Sequence, residues 1–279
     1  MTELGPTMLR KQLGRQLRAL REAAGLRMED AAAELDCARS RISQLETGRY
    51  GVRKPDLVAL LRLYGALDQL NELEELRREG AKRGWWSTSK LPKWLQAYLG
   101  MEEDATSTQI FSLELIPGLL QTEDYAHAVH FGLPSDEVNR RVAARMQRQV
   151  RLTTQKNPLE LSVVLSEAAV TRTLAMGELG IGQLRHLTEI STLPTIAIRV
   201  LPFSAGVHPS MAGSFTLLNF APGVSPPVAY QEYAVGGHIV DDQEDVQKLS
   251  ALYDQLQAQA LDENRSLDMI AELTRRAGG

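Results

Sequence analysis

The side chains of this chain whose types and spacing could do chemistry are mainly cations and amides. Arg49, Arg53 and Lys54 share the loop Arg49-Tyr50-Gly51-Val52-Arg53-Lys54-Pro55. Basic groups placed there can contact backbone phosphates, which gives affinity and register rather than base choice; the alternative is a solvated loop. Of the histidines His127, His130, His186, His208 and His238, only His127 and His130 are close enough to share a helical face. With no cysteine ligand beside them, no metal site is expected. The chain has no Gly-x-Ser-x-Gly elbow, no P-loop and no nucleotide fingerprint of glycines. No catalytic residue and no cofactor are therefore assigned, and the chain is not expected to be an enzyme. Glu114, Ser166 and Glu167 are polar groups expected to point into the C-terminal part. They would serve as ligand contacts, or equally as caps and buried hydrogen-bonding groups. Trp85, Trp86 and Trp94 lie within ten residues of one another, as a helix-on-sheet core or as the aromatic wall of a pocket. Trp86, Trp94, Glu114, Gln121 and Glu167 are the candidate ligand or partner residues of this region.

The elements that would position a binding surface are clearest in residues 13–49. Leu13, Leu17 and Leu20 fall on one helical face, and Gly25 can end that helix with a left-handed turn. Ala31, Ala32 and Leu35 give a short second helix, and Ile42 and Leu45 the buried side of a third. The turn Asp36-Cys37-Ala38 joins the last two. Two short helices joined this way can set the second one in the major groove of DNA. Residues 1–8 are expected to be a loose lead-in, with helix one starting near Arg10. Pro55 suits the first turn of a fourth helix carrying Leu57, Leu60, Leu61 and Tyr64. Leu67 to Glu79 is the fifth, with Leu70, Leu73 and Leu76 inward, and residues 80–84 look like a hinge.

Residues 13–49 resemble the five-helix helix-turn-helix domain of Cro/repressor-like (XRE-family, Cro/C1-type) regulators. The marks are Leu13-Gly14, Leu17-Arg18, Leu20-Arg21-Glu22, Gly25-Leu26, Ala31-Ala32, Leu35, and the run Ser40-Arg41-Ile42-Ser43-Gln44-Leu45-Glu46-Thr47-Gly48. The resemblance implies that Arg39, Ser40 and Gln44 reach base edges, where Gln pairs with adenine and Arg with guanine. It places Arg41 and Ser43 on flanking phosphate or base, and pairs Arg21 with Glu46 as an ion pair tying helix one to helix three. Three positions depart from the family. Arg27 stands where a Ser or Thr usually caps helix two. Met28 stands where a Gln usually contacts phosphate, and Ala38 replaces the usual cap of the recognition helix. Arg27 would then supply the charge at that phosphate.

The formal net charge of −4 hides an asymmetry. Residues 1–65 carry 12 basic and 8 acidic groups, the remaining residues 19 and 27. A basic module on an acidic body suits a head that engages phosphate locally. With 279 residues, two ordinary domains or one large one can form a core. No apolar run approaches the roughly 18–20 residues of a membrane span. The first residues lack the basic start and apolar core of a signal peptide. Cys37 is the sole cysteine, so no internal disulfide forms and a reducing cytoplasm is expected. Its place in the turn suits a packed thiol better than a redox switch.

Beyond residue 85 the pattern becomes mixed. Strands are expected over 106–115, 159–166, 195–201, 214–220 and 228–233. Thr122 suits the cap of a short helix, and residues 135–155 form a long one capped by Ser135, with Val138, Val142, Met146 and Val150 inward. Its Arg140, Arg141, Arg145, Arg148 and Arg151 would make a solvated face or a second nucleic-acid face. Helices are also expected over 167–175, 177–192, 241–259 and from Ser266 to Arg276. The fold class is therefore an all-α helix-turn-helix domain of five helices (8–80), a linker (81–92), and an α+β regulatory domain (93–279) with a mixed or antiparallel sheet.

This second part also resembles a family. Trp85-Trp86, Leu91-Pro92, Trp94, Glu114, Ile116-Pro117-Gly118-Leu119-Leu120-Gln121-Thr122-Glu123, Tyr125-Ala126, Leu165-Ser166-Glu167-Ala168 and Leu193-Pro194 carry the likeness. They are similar to the C-terminal domain of unknown function of actinobacterial Scr1-type antitoxin-like and WhiJ-type regulators. That likeness implies a partner, a small acidic companion protein encoded nearby. The expected function is a sequence-specific DNA-binding transcriptional regulator whose C-terminal domain receives a protein or small-molecule signal. The alternatives are an antitoxin neutralising a small companion protein, and a metabolite-binding or enzymatic domain fused to a DNA-binding head. Double-stranded DNA is the expected partner, read by a homodimer over two half-sites. No membrane association is expected. The protein would be cytoplasmic, and on the nucleoid when bound. Helix 241–260 would either pair two copies or cover the sheet.

Overall fold

A computed structural model describes residues 4–82, 84–88, 90–154 and 156–277. Part of the expected lead-in (1–3), Arg83 of the expected hinge and Ser89 of the expected linker lie outside the described residues. The chain divides into two compact units. One takes 1–88 with 99–104 and 222–225, and the other takes the rest.

The first unit holds five α-helices among the described residues up to 82: α1 (Pro6–Ala23), α2 (Met28–Glu34), α3 (Arg39–Glu46), α4 (Lys54–Leu63) and α5 (Leu70–Gly80). Helix α1 begins earlier than expected. Pro6, with its fixed φ and no amide hydrogen, opens it, and Met8 is fully buried on its first turn. At the other end the Gly25 φ is +70°, and Leu26 N–H reaches back to Arg21 O at 3.1 Å, a left-handed helix stop. Leu13, Leu17, Ala31, Ala32, Ile42, Leu45, Leu57, Leu60, Leu61 and Leu73 are buried in one core. Leu70, Leu76 and Cys37 are partly buried against it, so Cys37 is a packed thiol.

In the second unit six strands among the described residues form one mixed sheet. They are β1 (Ser107–Ser112), β2 (Glu160–Ser166), β3 (Ile196–Leu201), β4 (Phe215–Asn219), β5 (Val228–Tyr233) and β6 (Gly236–Val240), in the order β3-β2-β1-β4-β5-β6. The β1–β2 and β2–β3 pairs are parallel, with Ile110 opposite Val163 and Val163 opposite Ile198; the other pairs are antiparallel. Helices α6 (Lys93–Glu102), α7 (Glu123–Ala128), α8 (Ser135–Thr153), α9 (Glu167–Leu174), α10 (Glu178–Ile190), α11 (Gln243–Gln259) and α12 (Glu263–Ala277) complete the order. Val246, Tyr253 and Leu256 of α11 are buried with Phe111, Val164, Phe215 and Leu217, so this helix covers the sheet.

Several expectations are corrected here. β1 stops at Ser112, because Leu113 N–H donates to Ser214 Oγ instead of extending the ladder. β6 was not anticipated. Ser135 is the first helical residue of α8 and Pro134 holds the cap position. Val150 is exposed, while Val142, Ala144 and Leu152 are the buried residues of α8. Ser266 caps nothing. It lies inside α12, fully buried, and its Oγ accepts Val200 N–H at 2.9 Å, fastening the helix to β3.

Candidate nucleic-acid interface

The third helix is amphipathic at the scale of two turns. Ile42, Leu45 and Glu46 are buried; Arg39 and Ser40 are exposed; Arg41, Ser43 and Gln44 are half-buried. Its C-terminus is locked to α1. Arg21 Nε donates to Glu46 Oε1 at 2.6 Å, Nη2 to Oε2 at 3.0 Å, and Nη1 to Leu26 O at 2.7 Å. The ion pair expected from the family pattern is thus present, bidentate and buried. Hydrogen bonding to Glu46 raises the Arg21 pKa further.

Two of the arginines of α3 already have side-chain partners. Arg39 Nε lies 3.1 Å from Glu29 of α2. The Arg41 guanidinium stands 5.5 Å over the ring of Tyr50, an exposed aromatic that sequence reasoning did not single out. Tyr50 N–H returns to Gln44 O at 3.2 Å, so the loop after α3 folds back under it. At the start of α4, Arg53 forks onto Asp56 at 2.9 and 3.0 Å while staying largely exposed. Arg49 and Lys54 are exposed.

The start of α2 departs from a phosphate clamp. Asp30 Oδ2 accepts the Arg27 N–H at 2.7 Å, so the helix N-terminus carries its own carboxylate. Met28 is half-buried and packs on the core, leaving only backbone to offer a phosphate. Arg27 is exposed, with its Nε 3.9 Å from Asp30 Oδ2 and most of its side chain in solvent.

The candidate ligand residues expected in the C-terminal part have structural partners, and Trp86, with Trp85, falls in the first unit instead. Trp86 is buried, edge-to-face with Trp85 at 5.8 Å. Trp94 lies against Gly237. Glu114 pairs with Arg172 at 2.7 Å on the surface, and Glu167 Oε2 accepts Phe203 N–H at 2.7 Å. Ser166 caps α9 by accepting Ala168 N–H. Gln121 is buried, donates to Ile116 O at 2.7 Å and accepts from Arg145 at 2.5 Å. Thr122 caps α7 as expected, and its own N–H is accepted by the buried Gln183 Oε1 at 2.7 Å.

The arginines of α8 do not form a solvated face. Arg145 reaches Gln121, Arg148 lies over Tyr98 at 5.4 Å, and Arg151 donates to Ala105 O at 3.0 Å. Their stems cover apolar surface while the heads find carbonyls and rings. No group of three or more His, Cys, Asp or Glu gathers as a metal site among the described residues, and no described helix is long and apolar enough to cross a membrane.

His130 sets a pH dependence. Burial first, then the nearby Arg145 and Arg141, push its pKa down to about 4. An unfolded chain protonates this histidine near its usual 6.5, so the folded state is undersupplied with protons between those values. Stability should be full above about pH 6.5, fall as pH drops toward about 4, and level off below, by about 1–3 kcal/mol in all. Urea unfolding of wild type and His130→Asn across this range checks it: the difference between the two should vanish in slope above pH 7.

Residues 95–272 match the family described as Domain of unknown function (DUF5753), and residues 12–76 match a Helix-turn-helix domain. No curated protein and no solved structure matches the chain.

Proposed function

The chain belongs to the Domain of unknown function (DUF5753) family, and we propose that it is a sequence-specific transcriptional regulator. Its helix-turn-helix head binds double-stranded DNA as a homodimer over two half-sites. The C-terminal domain receives a protein or small-molecule signal and performs no catalysis. The protein works in the cytoplasm, at the nucleoid. One observation carries this reading. Helix α3 buries Ile42 and Leu45, is clamped by Arg21 to Glu46, and leaves Arg39, Ser40 and Gln44 on its outer side. A helix so held can enter a major groove at a set angle, with Gln and Arg heads at base edges.

The test begins with genome-wide mapping of bound sites and footprinting to define an operator. Gln44→Ala and Arg39→Ala should each lose about 1–3 kcal/mol of discrimination between operator and random duplex. Arg53→Ala should weaken both duplexes alike and lower the salt slope, because its head can leave Asp56 for a phosphate. Equal losses on both duplexes for Gln44→Ala would remove it from the base-reading set. A protein that retains no genomic fragment would end the reading.

A further inference from the structure

The first turn of α2 carries two carboxylates, Glu29 and Asp30, which hold different things. Asp30 Oδ2 accepts the Arg27 N–H at 2.7 Å and so meets the need of the helix start. Glu29 reaches across to the next helix, where its Oε1 stands 3.1 Å from Arg39 Nε. Helix α3 has no acidic residue in its own first turn and no side-chain cap, so its start is served by a carboxylate from α2. The side chains of Arg39 and Glu29 are 67% and 54% exposed, which leaves the pair open to an approaching duplex.

The two arginines of α3 therefore have partners of opposite kinds. Arg41 stands 5.5 Å over the ring of Tyr50, a neutral partner that leaves its full charge for phosphate. Arg39 is matched by a full negative charge through Nε. The rest of an arginine fork can still donate while Nε is engaged. A guanine edge offers the neutral acceptors O6 and N7, so one guanidinium can serve Glu29 and guanine together. A phosphate is an anion, and sharing Arg39 would bring it against the Glu29 carboxylate. Arg39 can thus keep Glu29 and read a base, but must give up Glu29 to settle on the backbone.

We propose that Glu29 is a specificity-determining residue, a positioning group that withholds Arg39 from backbone phosphate and leaves it for a base edge. Selectivity then comes from weakening the wrong complexes as well as from strengthening the right one. The inference rests on the regulator reading for the operator, and on Arg39 alone for random duplex.

The experiment measures affinity of the full chain for a random duplex and for a footprinted operator over a range of salt, with Glu29→Gln, Arg39→Ala and the double variant. Glutamine keeps the length of the side chain and removes its charge. Glu29→Gln should tighten random duplex roughly three- to fivefold, the scale of an exposed ion pair. Its salt slope should steepen by about one as Arg39 joins the phosphate contacts. Operator affinity should change less, so discrimination falls. In the Arg39→Ala background neither the gain nor the steeper slope should appear, and Glu29→Gln should melt like wild type, which a merely structural role would not predict. Unchanged or weaker binding of random duplex by Glu29→Gln overturns the inference. So does an equal gain on both duplexes, or a gain that persists without Arg39, since Glu29 would then act by plain repulsion. A wild type that prefers no genomic fragment fails the regulator reading, while a gain on random duplex confined to the Arg39 background would still support the hold of Glu29 on Arg39.

Discussion

Arg21→Ala should destabilise the helical domain by about 3–5 kcal/mol and abolish operator binding at ordinary temperatures. The side chains of Arg21 and Glu46 are 6% and 4% exposed, so water cannot replace the guanidinium when it is removed. Three partners lose their donor together: both Glu46 oxygens and the Leu26 carbonyl. The buried Tyr64 hydroxyl has no hydrogen-bond partner, and burial, then the Glu46 field, raises its pKa. It lies within the field of the carboxylate that would be orphaned, and a single phenol recovers only part of the loss. The double variant Arg21→Met, Glu46→Met removes both charges and should regain most of the stability, since an apolar pair of similar volume carries no desolvation penalty. Chemical unfolding of the full chain, followed by a signal from the helical domain, measures all three variants. A loss under about 1 kcal/mol for Arg21→Ala would mean that the pair is solvated in solution and does not clamp α3.

The helical domain was legible because each of its helices advertises one buried stripe and an unambiguous stop. Ile42 and Leu45 sit three apart, Gly25 supplies a positive φ, and Pro55 falls in the first turn of α4. The sheet was legible where β-branched residues run together, as in Ile196, Ile198 and Val200. It was not legible at β6, where Gly236 and Gly237 open the strand and no alternation marks it. The orientation of α8 was misread for a related reason. Hydrophobic spacing put Val150 inside, but the arginine stems on the adjoining face are long enough to be buried instead, and their heads find Gln121, Tyr98 and Ala105. Those partners come from elements distant in sequence, and no local pattern encodes them. The same holds for Glu29 against Arg39 and Tyr50 under Arg41, which depend on how α2 and the loop after α3 close on the recognition helix.

Gly14→Ala puts two well-known effects in opposition, and the geometry decides between them. In the interior of an isolated helix the change would stabilise by about 1 kcal/mol, because alanine restricts the unfolded chain and favours helix. Gly14, however, is where α1 meets the end of α3. A Cβ there would lie 2.5 Å from Glu46 O and 2.6 Å from Leu45 O, both backbone atoms that no side-chain rotation can move aside. Relief requires α3 to shift away from α1, which also stretches the Arg21 to Glu46 fork two turns further along the same face of α1. The net expectation is a loss of about 3 kcal/mol. Affinity for operator should fall more than affinity for random duplex, since a tilted α3 loses base contacts before it loses phosphates. Gly25→Ala is the control. Nothing lies within 4 Å of its added Cβ, so it meets only the strain of a φ of +70°, about 1 kcal/mol, and should leave discrimination intact. A stabilised Gly14→Ala protein with undiminished operator preference would show that the angle of α3 is not set by its contact with α1.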